Sequence, residues 1–312
     1  MKNILYNTTR QWNCGDEFIM AGARNLMSEL IPLHNPIIFD RNPDLGFLGS
    51  SRRRSNSWSL QDFNFDYYVA SGPEWTGPRN TSISKFIYEN KIPCIFMGIG
   101  TGAQADQWTG KILSESLAVI CRDRAALSSV QGQNSRALCL HCPAIFCTDS
   151  VQKHSLQHIG IVFQSDGEEW QKISTELKTL LIETINRLSA NYKVSLICHY
   201  HKELYEAKNI FPHLDVYYSY DYSDYFNIYK KFDLTISTRL HGCFCSLACG
   251  VPTIMPSGLS GRCTGAVNES PLVIQKPFSD IDPALIDIQK INAQIIAYKQ
   301  KLKEEYLEKL AI

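Results

Sequence analysis

The chain has 312 residues, room for two ordinary domains, and its 44% hydrophobic against 20% charged residues provide for packed cores. Lys+Arg and Asp+Glu each number 31, and the longest basic run is Arg52-Arg53-Arg54, so there is no electrostatic footprint for nucleic acid. No stretch approaches the roughly 18 apolar residues that span a bilayer, and eleven cysteines, an odd count, argue for reduced thiols rather than a disulfide framework.

Met1 to Tyr6 runs straight into strand-like sequence, without the apolar stretch and cleavage site of a secretory signal. A cytoplasmic location is expected, and loose association with the inner face of the membrane is compatible with it. Asn3 to Tyr6 reads as the first strand, followed by a polar loop, Asn13-Cys14-Gly15-Asp16, and a helix reaching Leu30. Pro36 to Phe39 is a second strand. Residues 40 to 62, rich in Arg, Ser, Asn and Gly, read as a mobile loop. Asp66 to Ala70 is the next strand, and a helix over Ser82 to Asn90 leads to the most apolar strand, Pro93 to Gly98. Leu117 to Cys121 and Arg136 to Leu140 are short strands around a helix.

The pattern breaks near 149 to 157 and then restarts. Strands at His158 to Phe163, Val194 to Cys198, Val216 to Tyr218 and Leu234 to Ser237 alternate with helices, the clearest over Glu169 to Leu188. Asp287 to Leu310 is a charged amphipathic helix. Short apolar strands alternating with helices predict parallel sheets covered by helices. The expected architecture is α/β, with two Rossmann-like domains facing across a cleft. They divide as 1–153, 154–285 and a C-terminal helix, 286–312, free to pack back across the domains.

The most informative stretch is Asp233-Leu234-Thr235-Ile236-Ser237-Thr238-Arg239-Leu240-His241-Gly242, continuing to Cys249-Gly250-Val251-Pro252. An apolar strand ends, and Arg239 and His241 follow at the junction with a helix. In an open α/β sheet the carboxyl ends of the strands face the ligand crevice, and a helix N-terminus favours negative charge. Arg239 and His241 thus suit an anion site with a proton donor beside it. The plainer alternative pairs Arg239 with a carboxylate and uses His241 as a helix cap.

Asp16 has two readings as well: an N-cap for the helix that follows, or a group orienting a ligand together with Asn13. Gly98-Ile99-Gly100-Thr101-Gly102 is neither a Rossmann fingerprint nor a P-loop, and reads as a tight turn at a close backbone approach. Cys139-Leu140-His141-Cys142 lacks a second CxxC, so buried thiols are expected there instead of a metal. Cys243, Cys245 and Cys249 read as small buried residues, and Trp58, Trp75, Trp108 and Trp170 receive no role.

The Arg-x-His…Gly-x-Pro block resembles the C-terminal signature of the polysaccharide pyruvyl transferases. Asn13-Cys14-Gly15-Asp16-Glu17 is similar to that family's Asn-x-Gly-Asp element, Asp66 to Gly72 to its Asp-(apolar)-Gly strand end, and Val119 to Asp123 to its (apolar)-Arg-Asp element. These matches occur in the family's order over most of the chain. The resemblance implies a GT-B-like fold, phosphoenolpyruvate as donor, a glycan acceptor that could be lipid-linked, a cyclic pyruvate ketal as product, and no cofactor or metal. It places Arg122, Arg239 and His241 at the donor; the chemistry of an imidazole makes His241 the expected catalytic acid/base, and the functional reading of Asn13 and Asp16 puts them on the acceptor's hydroxyls. Arg262 stands near the position where the family commonly has a donor-binding lysine.

Two other functions compete. One is a sugar-nucleotide glycosyltransferase of the same architecture, whose ribose-binding glutamate would fall near Cys245. The other is a non-catalytic sugar-binding relative.

Overall fold

The computed structural model describes residues 1–8, 13–40, 63–72, 81–100, 107–165, 173–259 and 261–310. The loop expected over 40–62 lies outside them apart from Asp40, as do Trp58, Trp75 and Trp170. The chain divides into two compact units, Met1–Cys147 with Lys301–Ile312, and Thr148–Gln300.

The first unit is built on a six-stranded parallel sheet ordered β2-β1-β3-β4-β5-β6. Its strands are β1 (Lys2–Thr8), β2 (His34–Asp40), β3 (Tyr67–Ser71), β4 (Cys94–Ile99), β5 (Ala118–Cys121) and β6 (Leu138–Cys139). Every residue of β4 is buried, as its unbroken apolar run requires of a central parallel strand. Helices α1 (Cys14–Leu30), α2 (Thr81–Glu89), α3 (Gln107–Glu115) and α4 (Arg124–Val130) connect the strands.

Helix α1 starts earlier than the sequence suggested. Asn13 is its N-cap, the side chain accepting from the Gly15 amide at 3.1 Å. Asp16 therefore lies inside the first turn rather than capping it. Asp16 and Glu17 there complement the positive end of the helix dipole. A Cβ on Gly22 would stand 1.8 Å from the Pro143 carbonyl oxygen, so α1 lies directly on the 3-10 turn Pro143–Phe146.

The second unit carries another six-stranded parallel sheet, ordered β12-β11-β10-β7-β8-β9. It contains β7 (His158–Phe163), β8 (Lys193–Cys198), β9 (Asp215–Tyr217), β10 (Leu234–Ser237), β11 (Thr253–Pro256) and β12 (Val273–Lys276). The helices are α5 (Thr175–Ser189), α6 (His201–Ile210), α7 (Asp224–Tyr229), α8 (Leu240–Ala248) and α9 (Gly261–Asn268). Of the helix expected over about Glu169 to Leu188, residues 169–172 lie outside the described residues; α5 starts at Thr175, where Ser174 caps it by accepting from the Leu177 amide at 3.2 Å. Leu181, Ile185 and Leu188 then supply its buried stripe.

Helix α10 (Ile288–Lys309) contributes to both units. In the second, Asn292 Nδ2 donates to the Val151 and Gly250 carbonyls at 2.9 and 2.6 Å. In the first, the Tyr306 hydroxyl donates to the His141 carbonyl at 2.6 Å. The fold class expected from the sequence, two Rossmann-like α/β domains, is observed. Among the described residues no helix is long and apolar enough to cross a membrane.

Buried histidines give the fold a pH dependence. Burial pushes His141 down to about 4 and His158 below its ordinary value. His199 is held well below it by burial and by the neighbouring charges of Arg239 and His241. These rings stay neutral in the folded protein but take a proton in the unfolded chain near pH 6.5. Their stabilisation is complete above about 6.5 and is lost as pH falls, for His141 down to about 4. Its contribution alone is about 3 kcal/mol. Denaturant unfolding should show stability falling between about pH 6.5 and 5, above most carboxylate titration. A flat profile there would contradict the neutral-ring assignment.

Candidate active site

Each sheet has one place where the strand order reverses direction, and ligands of open α/β sheets bind outside the carboxyl ends at that point. In the first unit it falls between β1 and β3. There the Asn7 side chain bridges the strands, accepting from the Ser71 amide at 3.0 Å and donating to the Ser71 carbonyl at 3.2 Å. The N-terminus of α1, with Asn13 and Asp16, follows β1.

Arg122 follows β5, and its backbone amide donates to the Ile99 carbonyl at 2.8 Å. The side chain is only 1% exposed, with Nε 3.9 Å from Asp123 Oδ2. Asp123 in turn caps α4, accepting from the Ala126 amide at 2.7 Å. The guanidinium lies over Gly100, where a Cβ would come within 2.7 Å of Arg122 Nε and Nη2. The glycine-rich turn was expected where backbone approaches a ligand or the other domain; of it, Thr101 and Gly102 lie outside the described residues, and Gly100 is closely approached by this arginine. Gly100→Ala should displace the Arg122 guanidinium, and a crystal structure of the variant with the side chain unmoved would refute that packing.

Arg122 and Asp16 both act electrostatically on the Cys142 thiol. Burial nonetheless dominates and pushes that thiol up to about 11. All eleven cysteines are free, and among the described residues no group of three or more His, Cys, Asp or Glu could hold a metal ion.

In the second unit the reversal falls between β7 and β10. The residues just beyond their ends meet directly, Thr238 Oγ1 donating to Gln164 Oε1 at 2.7 Å. Beside them stand Arg239, after β10, and His199 and Tyr200, after β8. The turn at Arg239 is tied by Ser237, whose hydroxyl accepts from the Arg239 amide at 3.1 Å and donates to its carbonyl at 2.8 Å. Gly242 makes this possible: a Cβ there would stand 2.4 Å from Ser237 Oγ.

Arg239 is 4% exposed and pairs with Glu203, which is fully buried. The carboxylate partner of the plainer sequence reading thus exists. Glu203 also accepts from the His199 and Tyr200 amides at 2.8 and 3.1 Å. The Tyr200 ring covers the guanidinium face, its centroid 4.8 Å from Arg239 Cζ. His199 Nε2 lies 2.9 Å from the Tyr229 hydroxyl.

His241 does not cap α8. Arg239 occupies the N-cap position, and His241 is the second residue of the helix. From Leu234 to Pro256 every residue is buried except His241, which is partly exposed. The charges of Arg239 and His241 both act on the His199 ring. Cys243, Cys245 and Cys249 are fully buried around this helix, and burial pushes Cys243 up to about 12. Arg262 lies in α9, and its side chain is outside the described residues.

The sequence reading found Arg122, Arg239 and His241 but not Asn7, Gln164, His199, Tyr200 or Glu203. For Asn7, Gln164, His199 and Tyr200 the one signal is position, since each is a polar residue at or just beyond the carboxyl end of an apolar strand; Glu203, inside the first turn of α6, carries no such signal.

The whole chain is similar to solved sugar-nucleotide epimerases. It shares 13% identity with a UDP-GlcNAc 2-epimerase from Neisseria meningitidis bound to UDP-GlcNAc, covering 100% of this chain and 94% of that one at a TM-score of 0.53. A UDP-N-acetylglucosamine 2-epimerase matches at 14% identity, 98% and 95% coverage and a TM-score of 0.60. The UDP-GlcNAc 2-epimerase of Methanocaldococcus jannaschii gives 10%, 95% and 92%, and 0.56. At such identities the likeness is one of fold, the two-domain GT-B-like class. No curated protein matches significantly. The model of the polysaccharide pyruvyl transferases matches residues 13–255, from the cap of α1 into β11. With that match spanning most of its length, the chain belongs to the polysaccharide pyruvyl transferase family and is a transferase.

Proposed function

We propose that the protein transfers the pyruvyl group of phosphoenolpyruvate to a sugar residue of a polysaccharide or lipid-linked glycan precursor, in the cytoplasm. The observation that carries this reading is the pairing of a clamped Arg239 with the partly exposed His241 at the β7/β10 reversal. Phosphoenolpyruvate offers a carboxylate and a phosphate, and a guanidinium fork matches either one bidentately. In the second unit Arg239 binds the donor, with Arg262 as a further cation. In the first, Arg122 has a donor-binding role, and Asn13 and Asp16 an acceptor role.

The reaction needs a proton at C3 of the donor, which turns the methylene into a methyl group and leaves C2 electron-poor. One sugar hydroxyl adds to C2. A second displaces phosphate there, closing the ketal; of the two hydroxyl protons, one replaces the proton consumed at C3 and the other leaves on the released hydrogen phosphate. His241 handles the proton, since an imidazole titrates near the operating pH. Arginines can supply the charge stabilisation that the departing phosphate requires. A sugar-nucleotide reading would need a ribose-binding carboxylate near Cys245, and a fully buried thiol cannot serve as one.

Phosphate release from phosphoenolpyruvate should depend on a glycan acceptor and survive EDTA. Mass spectrometry of the acceptor should show an added pyruvate ketal. Tight binding of UDP or GDP sugars without any response to phosphoenolpyruvate would overturn the proposal.

A further inference from the structure

We infer that the first turn of α6 is a positioning device for the donor-binding arginine. Glu203 holds one edge of the Arg239 guanidinium and Tyr200 holds its face. This inference rests on the donor role proposed for Arg239.

The geometry is over-determined in a way that a simple charge pair does not require. Tyr200 is the N-cap of α6 and Glu203 lies three residues on, so both are fixed by one helical turn. The Glu203 carboxylate reaches back to the His199 and Tyr200 amides, which sets its own orientation before it meets Arg239. Behind it, the His199 ring is fixed against Tyr229, at 2.9 Å, and edge-on to Tyr225, with ring centroids 5.2 Å apart. Tyr225 ties α7 to the same strand end, its hydroxyl donating to the Cys198 carbonyl at 2.5 Å. Arg239 itself is pinned at its backbone by Ser237. The long, flexible side chain is thus held at its root, along one edge and over one face. Such preorganisation removes the ordering cost that an arginine otherwise meets on binding an anion.

Placing a carboxylate beside an anion-binding arginine is electrostatically unfavourable for the anion. The two roles of Glu203 therefore predict opposite signs. If only charge matters, Glu203→Gln raises the net positive charge and tightens phosphoenolpyruvate binding. If positioning matters, the same variant binds phosphoenolpyruvate more weakly although the site has become more positive.

The test is calorimetric titration of phosphoenolpyruvate into folded Glu203→Gln and Tyr200→Leu proteins, well below their melting temperatures. Beside it, ¹⁵N spectra of the Arg239 guanidinium, assigned with Arg239→Lys, read rotation about Cζ–Nη. The expected result is at least about a tenfold loss of affinity in each variant, with slow rotation in the wild type becoming fast. Unchanged or tighter binding by Glu203→Gln would overturn the inference. Should that variant not fold, Tyr200→Leu, which alters no charge, decides alone: unchanged affinity and unchanged rotation would overturn it equally. If the wild type itself ignores phosphoenolpyruvate, the proposed function fails. The positioning inference then stands or falls on the guanidinium rotation.

Discussion

Glu203→Ala should lower the unfolding free energy of the second unit by about 3–5 kcal/mol, the usual consequence of removing one partner from a buried ion pair. The carboxylate is fully buried and serves three donors: Arg239 and the His199 and Tyr200 amides. Its removal leaves a guanidinium in a poorly solvating environment and orphans two backbone N–H groups. Against a total stability of about 5–15 kcal/mol for an ordinary domain, this brings the unit close to unfolding. Glu206, one turn further along α6, provides the control. It is paired to Lys178 but about a quarter exposed, so Glu206→Ala should change stability by less than about 1 kcal/mol. Urea denaturation of both variants separates the cases. Equal, small losses would show that burial of the Arg239–Glu203 pair has been overvalued. The paired substitution Glu203→Met with Arg239→Met should recover much of the stability, because no charge is then buried alone.

Most strands were legible in the sequence because fully buried parallel strands are rich in apolar residues, without interruption in Cys94 to Ile99 and nearly so in Ile159 to Phe163, whereas β12 was not placed. Helix starts were less so. Asn13 and Asp16 are both good capping residues three positions apart, and only backbone geometry decides that Asn13 caps. Strand order was not legible at all, since β10 reaches β7 across seventy residues of intervening chain. Arg239 and His241 could be found because a charged residue straight after an apolar strand is conspicuous. Glu203 could not: its partner is 36 residues distant, and on its own a glutamate in the first turn of a helix is explained by the dipole. Burial is what distinguishes it. The same holds for Gly100 and Gly242, whose missing side chains make room for Arg122 and Ser237. A sequence shows a glycine; it does not show what would collide with a Cβ.

His241→Gln should lose turnover by about a hundredfold or more, the range for a positioned acid/base group, while donor affinity falls much less. The side chain is the one point of solvent access in an otherwise buried stretch from Leu234 to Pro256, two residues beyond the clamped Arg239. A purely structural histidine in that stretch would be expected to be buried, as His199 is beside Tyr229. Nor does His241 close the helix end, because Arg239 is the N-cap and Ser237 ties its backbone. Glutamine retains hydrogen-bonding capacity and approximate size but cannot carry the proton to C3 of phosphoenolpyruvate. The arginines continue to hold the donor's charge in the variant, so binding and turnover separate. Three measurements on the one protein settle the matter: melting temperature, phosphoenolpyruvate affinity, and the single-turnover rate of phosphate release with a glycan acceptor. A lowered melting temperature with ordinary turnover in the folded fraction would make His241 a packing residue. A stable variant that binds the donor but turns over slowly would place the proton on His241.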